Sequence, residues 1–371
     1  MIVNGGTGAA RIEASAGPAG LNAVYYSGAI EDAAALEDGL VRAGKTRRVQ
    51  GIYNADGRHW AIVNRAAQRL GLGGAGALNG VTPMVLAASS VPHLPFSLAG
   101  DSSAALFEAG PYPLWVHGNL APGFNASAVV DAEEELGLAL RMVFRRANEA
   151  LVQTASAGAT ISVFGFKRGR EFLAIDAVGV TMQPKGFRMP LGYTFPAPLR
   201  GGAYGTCMDL AHAAARALPP CHALLEVEIV AEGKDFLVSG LWIHHELPAP
   251  LRVLFREGLG IDLSAEWMRV LCGLPPRLNA RRNLGVAIGW FLCRSGVVQG
   301  IKGLEKAGAL PGLVSIVIPA KKGDVVRHCV DLESRDRHGY AVCTGACRES
   351  AAERLRAVHE AIRIDTNPYL D

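Results

Sequence analysis

Apolar and polar positions follow two different periods along the chain, and their order predicts strands followed by helices in its first part. The strand-like stretches "LNAVYYSG" and "RVQGIYNA" each precede a segment with apolar residues at helical spacing, "AIEDAAALEDGLVRAG" and "HWAIVNRAAQRLGL". Strands that alternate with helices over short connections indicate a small open α/β layer. We place this layer at residues 1–77.

Farther along, alternating apolar residues in paired runs predict antiparallel hairpins. "ATISVFGFKRG" and "EFLAIDAVGVTMQ" form one such pair, and "HALLEVEIVAEGKDFLVSGLWI" forms another with Glu-Gly-Lys at its turn. We expect Lys167, Arg168 and Arg170, at the turn of the first hairpin, to form a solvated face. The second half therefore belongs to the α+β class.

Helical periodicity recurs between these hairpins and after them. The segment after the strand "YPLWVHG" and its glycine-containing loop predicts a helix over residues 131–148. The further helices are predicted over residues 205–218, 263–274, 281–291 and 349–361. We expect β-rich pieces, including "LVSIVIPAKKGDVVRHCVDL" and "GYAVCTGA", before the last of them.

Length and charge narrow the class of protein. A chain of 371 residues exceeds the ~250–300 residues at which one core stops growing, so we expect two or three subdomains. The 37 Lys and Arg residues against 34 Asp and Glu leave a formal charge of +3, which is not the pattern of a nucleic-acid-binding protein. No apolar stretch approaches the ~20 residues of a membrane span, and "MIVNGG" does not resemble a signal peptide. We expect a cytoplasmic protein that contacts neither nucleic acid nor membrane.

The seven cysteines fall between Cys207 and Cys347. An odd number in a cytoplasmic protein argues against structural disulfides and favours buried, reduced thiols. Cys343 and Cys347, with Cys329 and His328, offer an alternative metal site, but their spacing is not that of a zinc ribbon.

Two glycine-rich stretches raise the question of a dinucleotide site. "GLGGAG" at residues 71–76 matches G-x-G-x-x-G by letter, but a helix precedes it instead of a strand. "GGTG" at residues 5–8 has a better context, but the next strand ends in Tyr26 and Ser27 instead of an acidic residue. A Rossmann dehydrogenase is therefore disfavoured.

The order of apolar, glycine and proline patterns over some 300 residues resembles the ATP-grasp superfamily, and within it the L-amino-acid ligases. "GPYPLWVHGNLAPGFNASAVVDAEEELGLAL" is similar to the strand, glycine-rich lid and helix of such enzymes, and "LGYTFPAPL" to a stretch of the amino-acid ligases. "SGVVQGIKGLEKAGALPGLVSIVIPAKKGDVVRHCVDLESRDRHGYAVCTGA" resembles their terminal piece.

This resemblance implies a fold and a division of the chain. We expect a small N-terminal α/β domain over residues 1–77, followed by a two-lobed ATP-grasp domain with mixed and antiparallel sheets. Its small, lid-like lobe would cover residues 78–165, and its large lobe residues 166–371. The family joins a carboxylate to an amine with ATP and Mg²⁺, using two lysines on the phosphates and acidic residues on the metal.

The residues at the implied phosphate-binding positions depart from the family pattern. Gly80 and His117 stand where the two lysines are expected, and the lid offers Gly123 and Ser127. Gln153 replaces the glutamate that meets the adenine or ribose. A triphosphate carries about four negative charges that must be neutralised, and imidazole, with an ordinary pKa near 6.5, is only fractionally charged at pH 7. We interpret His117 as a satisfied polar residue in a former pocket instead of a general base.

The implied metal-binding positions are also altered. Glu226 or Glu228 can stand for the first ligand, whereas Ser239-Gly240-Leu241 replaces the expected Glu-x-Asn. Both glutamates share one face of their strand: facing the cleft they could hold one Mg²⁺, and otherwise they are surface charges. His244-His245-Glu246 suggests a metal site, but neighbouring strand residues point to opposite faces, which favours a polar loop.

Two hypotheses follow. The favoured one is an ATP-grasp-fold protein that has lost ATP-dependent chemistry and acts as a non-catalytic subunit or as a module that binds a small molecule or a protein. His117, Gly123, Ser127 and Gln153 would then line the remnant of the nucleotide site. The alternative is an atypical ATP- and Mg²⁺-dependent carboxylate–amine ligase of amino-acid or cofactor biosynthesis, with Glu226 and Glu228 at the metal. A homodimer is compatible with either.

Overall fold

The structure is a computed structural model that describes most of the chain. For residues 82–84 it describes the backbone alone. The described residues are 2–3, 15–17, 19–26, 32–54, 59–74, 82–100, 111–118, 127–145, 147–183, 187–244 and 246–368. None of the helices among them is both long and apolar enough to cross a lipid bilayer.

The N-terminal part is a parallel sheet with two helices, as the alternation of strands and helices predicts. The strands are β1 (Ile2–Val3), β2 (Tyr25–Tyr26) and β3 (Tyr53–Asn54), in the order β2-β1-β3, and the helices are α1 (Ala33–Arg47) and α2 (Trp60–Arg69). Asp32 caps α1 by accepting hydrogen bonds from the backbone N–H groups of Ala34 and Ala35. Gly71, with φ of +69°, follows α2, so a helix precedes the glycine-rich stretch that begins at residue 71, as predicted.

The second part is a four-stranded antiparallel sheet covered by one helix. Its strands are β4 (Phe96–Gly100), β5 (Leu114–Gly118), β6 (Ser127–Val130) and β7 (Glu149–Thr154), in the order β4-β7-β5-β6. Helix α3 (Thr82–Ala88) precedes the sheet, and α4 (Glu133–Phe144) packs on it. Leu136, Leu140 and Val143 lie on one face of α4 and are buried with Val116 and Val130 of the sheet, which positions the edge formed by β5 and β6.

The largest part is an eight-stranded sheet built from hairpins. Its first strands and the helix between them are β8 (Ala159–Gly169), β9 (Glu171–Met182), β10 (Pro190–Phe195), α5 (Ala203–Ala217), β11 (Cys221–Glu232) and β12 (Asp235–His244). They are followed by α6 (Ala249–Leu259), α7 (Leu263–Leu271) and β13 (Gly285–Trp290). Both predicted hairpins are confirmed, because β8 pairs with β9 and β11 with β12.

The C-terminal part completes this sheet and adds a small one. Its elements are β14 (Gly296–Lys302), α8 (Leu304–Gly308), β15 (Leu313–Val317), β16 (Val325–Val326), α9 (Leu332–His338), β17 (Tyr340–Gly345), α10 (Arg348–Ala361) and β18 (Arg363–Asn367). The large sheet has the order β12-β11-β8-β9-β10-β13-β17-β15 in antiparallel pairs, and the small sheet the order β16-β14-β18. A parallel bridge from His93 to Val238 joins the segment before β4 to β12.

The large sheet is covered on both faces, and this corrects the prediction for Lys167. Phe164 and Phe166 pack in one core with α6 and α7, whereas Ile161 and Val163 pack in a second core with α5. Lys167 alternates onto the α5 face, where its Nζ is fully buried and donates to the Ala215 carbonyl at 2.9 Å. Burial lowers its pKa. The predicted solvated face is therefore wrong for Lys167.

Two further differences from the sequence predictions concern boundaries. Residues 281–291 were expected to be helical, but Gly285–Trp290 is the strand β13, paired with β10 and β17 on its two sides. A short apolar run cannot be assigned to strand or helix from its period alone. The predicted lobe boundary at residue 165 falls within β8, which belongs as a whole to the large sheet, so sheet membership changes between Thr154 and Ala159.

Candidate functional site

A cleft lies between the β5–β6 edge of the four-stranded sheet and strands β10 to β12 of the large sheet. It contains a cavity of about 140 Å³, and most of its lining surface is apolar. Its polar and aromatic lining residues include Trp115, His117, Arg188, Glu226, Glu228 and Trp242.

His117 and Gln153 come from neighbouring strands of the small sheet. His117 Nε2 lies 3.2 Å from Gln153 Oε1, and its Nδ1 lies 3.2 Å from the Gly118 carbonyl. The ring stacks on Trp115 with a centroid distance of 4.0 Å. Burial lowers the pKa of His117 to about 4, so the imidazole is neutral at pH 7. This side of the cleft thus presents no cation at the position where the family resemblance implies a lysine.

Ser127 completes this side of the cleft. It lies opposite His117 on β6, and its Oγ accepts a hydrogen bond from Trp115 Nε1 at 2.5 Å. Since Trp115 and His117 are two residues apart on β5, they share one face of the strand. The small sheet therefore offers the cleft a neutral surface of aromatic and hydrogen-bonded groups.

Glu226 and Glu228 lie on β11 and both face the cleft. Glu226 accepts from Ser162 Oγ at 2.6 Å, and its other oxygen lies 2.7 Å from His244 Nε2. Glu228 accepts from Ser239 Oγ at 2.5 Å and from Arg188 Nη2 at 2.7 Å. Both carboxylates are buried, so these protein partners replace the water that would otherwise solvate their charges.

Arg188 connects the two sides of the cleft. Its guanidinium carbon lies 4.0 Å from the centroid of Trp115, a cation–π geometry, while Nη2 pairs with Glu228. Its Nη1 is buried and has no hydrogen-bond partner among the described residues. A ligand oxygen in the cleft would satisfy this nitrogen.

Five of the six predicted site residues meet around this cleft. His117, Ser127, Gln153, Glu226 and Glu228 are brought together as described, and their roles stay predictions. Gly123 lies outside the described residues, as do Gly80 and His245. Of the two alternatives for the glutamates, the structure favours the one in which both face the cleft.

The glutamates do not fit a Mg²⁺ site. Mg²⁺ requires free oxygen ligands in near-octahedral geometry, whereas three of the four carboxylate oxygens here contact side-chain donors. Ser239 and Leu241 occupy the positions implied for the other ligands. No group of three or more His, Cys, Asp or Glu side chains placed to hold a metal occurs within the described ranges.

Among the residues that the structure describes, the remaining metal alternatives also lack a cluster. His244 is paired with Glu226, and Glu246 is paired with Arg252. The cysteines are all free: Cys343 is buried beneath α10, whereas Cys347 is exposed. The prediction of buried thiols holds for three of the seven, Cys207, Cys221 and Cys343.

Sequence patterns do not identify Arg188, Ser162 or Tyr193 as part of the site. Arg188 precedes the stretch "LGYTFPAPL", and its proximity to the family-like segment is the one available signal. Ser162 interrupts the apolar run of β8 on the same face of the strand as Phe164. A serine in such a run is a sign that this face meets a polar group. Burial raises the pKa of Tyr193 well above its ordinary value, so its hydroxyl stays protonated.

Comparisons with known proteins identify the fold of this chain. Residues 290–367 match the family described as L-amino acid ligase C-terminal domain 2. An L-amino acid ligase from Bacillus licheniformis superposes with a TM-score of 0.80, 15% identity, and 99% and 98% of the two chains covered. N5-carboxyaminoimidazole ribonucleotide synthetase from Thermotoga maritima gives a TM-score of 0.67, 14% identity and 99% coverage of both chains.

Two further proteins are similar to this chain. A biotin carboxylase from Campylobacter jejuni gives a TM-score of 0.64 and 15% identity, with 99% and 92% of the chains covered. The uncharacterized protein y4rH of Sinorhizobium fredii is 25% identical over 187 residues, which are 48% of this chain and 37% of that protein. The match thus spans little more than a third of this curated relative. At these identities the solved structures establish the fold alone, and that fold is ATP-grasp, as the sequence resemblance implies.

Proposed function

We propose that this chain is an ATP-grasp-fold protein that binds a small ligand in its cleft and has lost ATP-dependent ligase chemistry. The observation that carries the proposal is that the titratable side chains of the cleft are buried or engaged by other protein groups. His117 is neutral at pH 7, and Glu226 and Glu228 are each engaged by protein donors. A transferring phosphoryl group needs cations that are available to it, and the loss of one such group costs orders of magnitude in rate.

The lining of the cleft suggests the chemistry of the ligand. Arg188 Nη1 is a buried donor without a partner among the described residues, while most of the surrounding surface is apolar. A small carboxylate with an apolar body would satisfy both features, because a buried unpaired donor costs about 1–3 kcal/mol. Such a protein would act as a non-catalytic subunit or a ligand-binding module.

A second candidate function is favoured by the match of residues 290–367 to a domain of L-amino acid ligases and by the shared fold. It is an atypical carboxylate–amine ligase that forms amide bonds with ATP. This function would require cations in addition to Arg188, and metal ligands, from other positions or from another chain.

Isothermal titration calorimetry of the full chain with Mg²⁺ and ATP separates the two functions. We expect no saturable heat up to roughly millimolar nucleotide, which corresponds to binding weaker than about −4 kcal/mol. The biotin carboxylase from Campylobacter jejuni, whose solved structure is an ATP complex, is measured in parallel to show that the conditions permit binding. Micromolar affinity would contradict the proposal.

Phosphate release during incubation with ATP and a panel of amino acids provides the second measurement. We expect none above the rate without protein. Phosphate release by the wild type that disappears in a Glu226→Ala variant, while an exposed-site Glu171→Ala variant keeps it, would support the ligase instead. Both variants need circular dichroism spectra that match the wild type.

A further inference from the structure

Two cysteines lie on neighbouring segments at one end of the small C-terminal sheet. In the antiparallel pair of β14 and β16, Gly296 faces Val326 and Val297 faces Val325. Cys293 precedes Gly296 and Cys329 follows Val326, each by three residues, so both cysteines lie on the segments that extend from the same end of this pair. Burial, and after it the neighbouring Cys293, raises the pKa of Cys329 to about 11, which agrees with this placement.

His338, at the end of α9, lies beside Cys293 and between the two chain segments. Its Nδ1 is 3.2 Å from Cys293 Sγ and accepts a hydrogen bond from the Cys293 backbone N–H at 3.2 Å. Its Nε2 lies 2.8 Å from the carbonyl oxygen of Arg327, two residues before Cys329. A carbonyl can only accept, so the proton is assigned to Nε2 and the lone pair to Nδ1, toward the sulfur.

This arrangement places the imidazole of His338 next to the Cys293 thiol, and the second thiol, that of Cys329, lies on the adjoining segment. Both cysteines are partly exposed, unlike the buried Cys207, Cys221 and Cys343. Burial raises the pKa of Cys293, so the thiol is protonated at pH 7 and needs a base to react. The imidazole at 3.2 Å, oriented by the Arg327 carbonyl, is such a base.

We propose that Cys293, Cys329 and His338 form a site of thiol–disulfide exchange that reacts with small-molecule or protein disulfides. Cys293 transfers its proton to His338 Nδ1, and its sulfur attacks the external disulfide, forming a mixed disulfide. One external thiolate leaves and takes up the proton. Cys329 then attacks the Cys293 sulfur and releases the second external thiol. In sum, two protein thiols and one external disulfide become one protein disulfide and two external thiols.

The site lies beside the cleft but does not belong to it. Val330 and Asp331, which follow Cys329, line the cleft, whereas neither cysteine does. The proposal therefore does not depend on the cleft's ligand or on any ATP chemistry.

The test is mass spectrometry of the reduced full chain after exposure to oxidised glutathione, with free thiols then blocked by N-ethylmaleimide. Trypsin releases Cys293 within residues 283–294 and Cys329 within residues 328–335. We expect these two peptides joined, 2 Da lighter than their reduced sum because two hydrogens are lost. In Cys329→Ser, Cys293 should instead retain glutathione.

Cys272 is the matched control, since it is also partly exposed and burial also raises its pKa, while no imidazole contact is found for its sulfur among the described residues. We expect Cys293 to react at least about tenfold faster than Cys272, and His338→Asn to remove most of this difference. Thermal unfolding of His338→Asn shows whether the variant is folded.

The proposal is overturned if no joined peptide forms while Cys272 reacts as fast as Cys293. Joining of Cys293 to a different cysteine would overturn it as well. If His338→Asn is unfolded, the reaction rates of Cys293 and Cys272 in the wild type and in Cys329→Ser still test the proposal.

Discussion

The two sides of the cleft have dealt with charge in opposite ways. On the small sheet, the side chains at the implied nucleotide positions are neutral: His117 has a pKa near 4, and Gln153 is an amide. On the large sheet, the carboxylates of Glu226 and Glu228 are engaged by neighbouring side chains: Ser162, His244, Ser239 and Arg188. The difference is between a cleft surface made of neutral groups and one whose carboxylates are engaged by other protein groups.

These two solutions have different energetic consequences. A neutral stacked surface depends on packing and modest hydrogen bonds, so each residue contributes on its own. A buried ion pair depends on both partners, because the removal of one leaves the other unsolvated. Substitutions on the large-sheet side should therefore cost more and should be strongly coupled.

The largest expected effect is that of Glu228→Ala. It leaves the buried Arg188 guanidinium without its carboxylate, so we expect the free energy of unfolding to fall by about 4 kcal/mol. Denaturant unfolding monitored by tryptophan fluorescence measures it. Glu171→Ala is the matched control, because Glu171 forms an exposed pair with Arg168, for which a loss below about 1 kcal/mol is expected.

The double variant separates charge from packing. If the unpaired charge is the cause, Arg188→Met in the Glu228→Ala background should recover about 2 kcal/mol, since both charges are then absent. Equal stability of the single and double variants would mean that the loss comes from the cavity alone, and the contrast between the two sides would fail.

Acidification should reveal the next largest effect, on the small-sheet side. The folded-state pKa of His117, about 4, lies below its ordinary value of 6.5. The stability contributed by the neutral ring is therefore complete above pH 6.5 and is lost as the pH falls toward 4. The shift corresponds to roughly 3 kcal/mol at ~1.4 kcal/mol per pKa unit.

Urea unfolding at a series of pH values from 7 to 4 tests this expectation. His117→Gln should lose less stability than the wild type over this range, whereas His328→Gln, at an exposed position, should follow the wild type. A His117→Gln curve parallel to that of the wild type would show that the ring is already protonated or solvated in the folded state.

Local patterns predict much of the fold and part of this contrast. Strand alternation and turn residues identify both hairpins, and the family-like order of segments brings His117 and Gln153 to one site, where they lie 3.2 Å apart. These features are predictable because the period of a strand and the chemistry of a turn are properties of a few neighbouring residues.

The features that the sequence does not predict depend on contacts between distant segments. Arg188 acquires its role by lying over Trp115 of another sheet, which no periodicity encodes. The sequence around Lys167 is typical of an exposed turn, but in the structure α5 covers the face of the sheet on which Lys167 lies. Residues 285–290 are apolar enough for a buried helix, and only pairing with strands on both sides makes them a strand.

The smallest expected effect compares one serine from each side. Ser162 is fully buried and donates to the charged Glu226 at 2.6 Å, so we expect Ser162→Ala to lower the free energy of unfolding by about 2 kcal/mol. Ser127 accepts from the neutral indole of Trp115, and Ser127→Ala should cost about 1 kcal/mol or less. Both variants remove one hydroxyl. The difference between their free energies of unfolding, measured in the same urea titration, therefore reports the effect of a carboxylate partner compared with an indole partner. If Ser127→Ala were as costly as Ser162→Ala, the Glu226 carboxylate would not depend on the Ser162 hydroxyl. Water would then solvate the large-sheet side of the cleft, as in an open site.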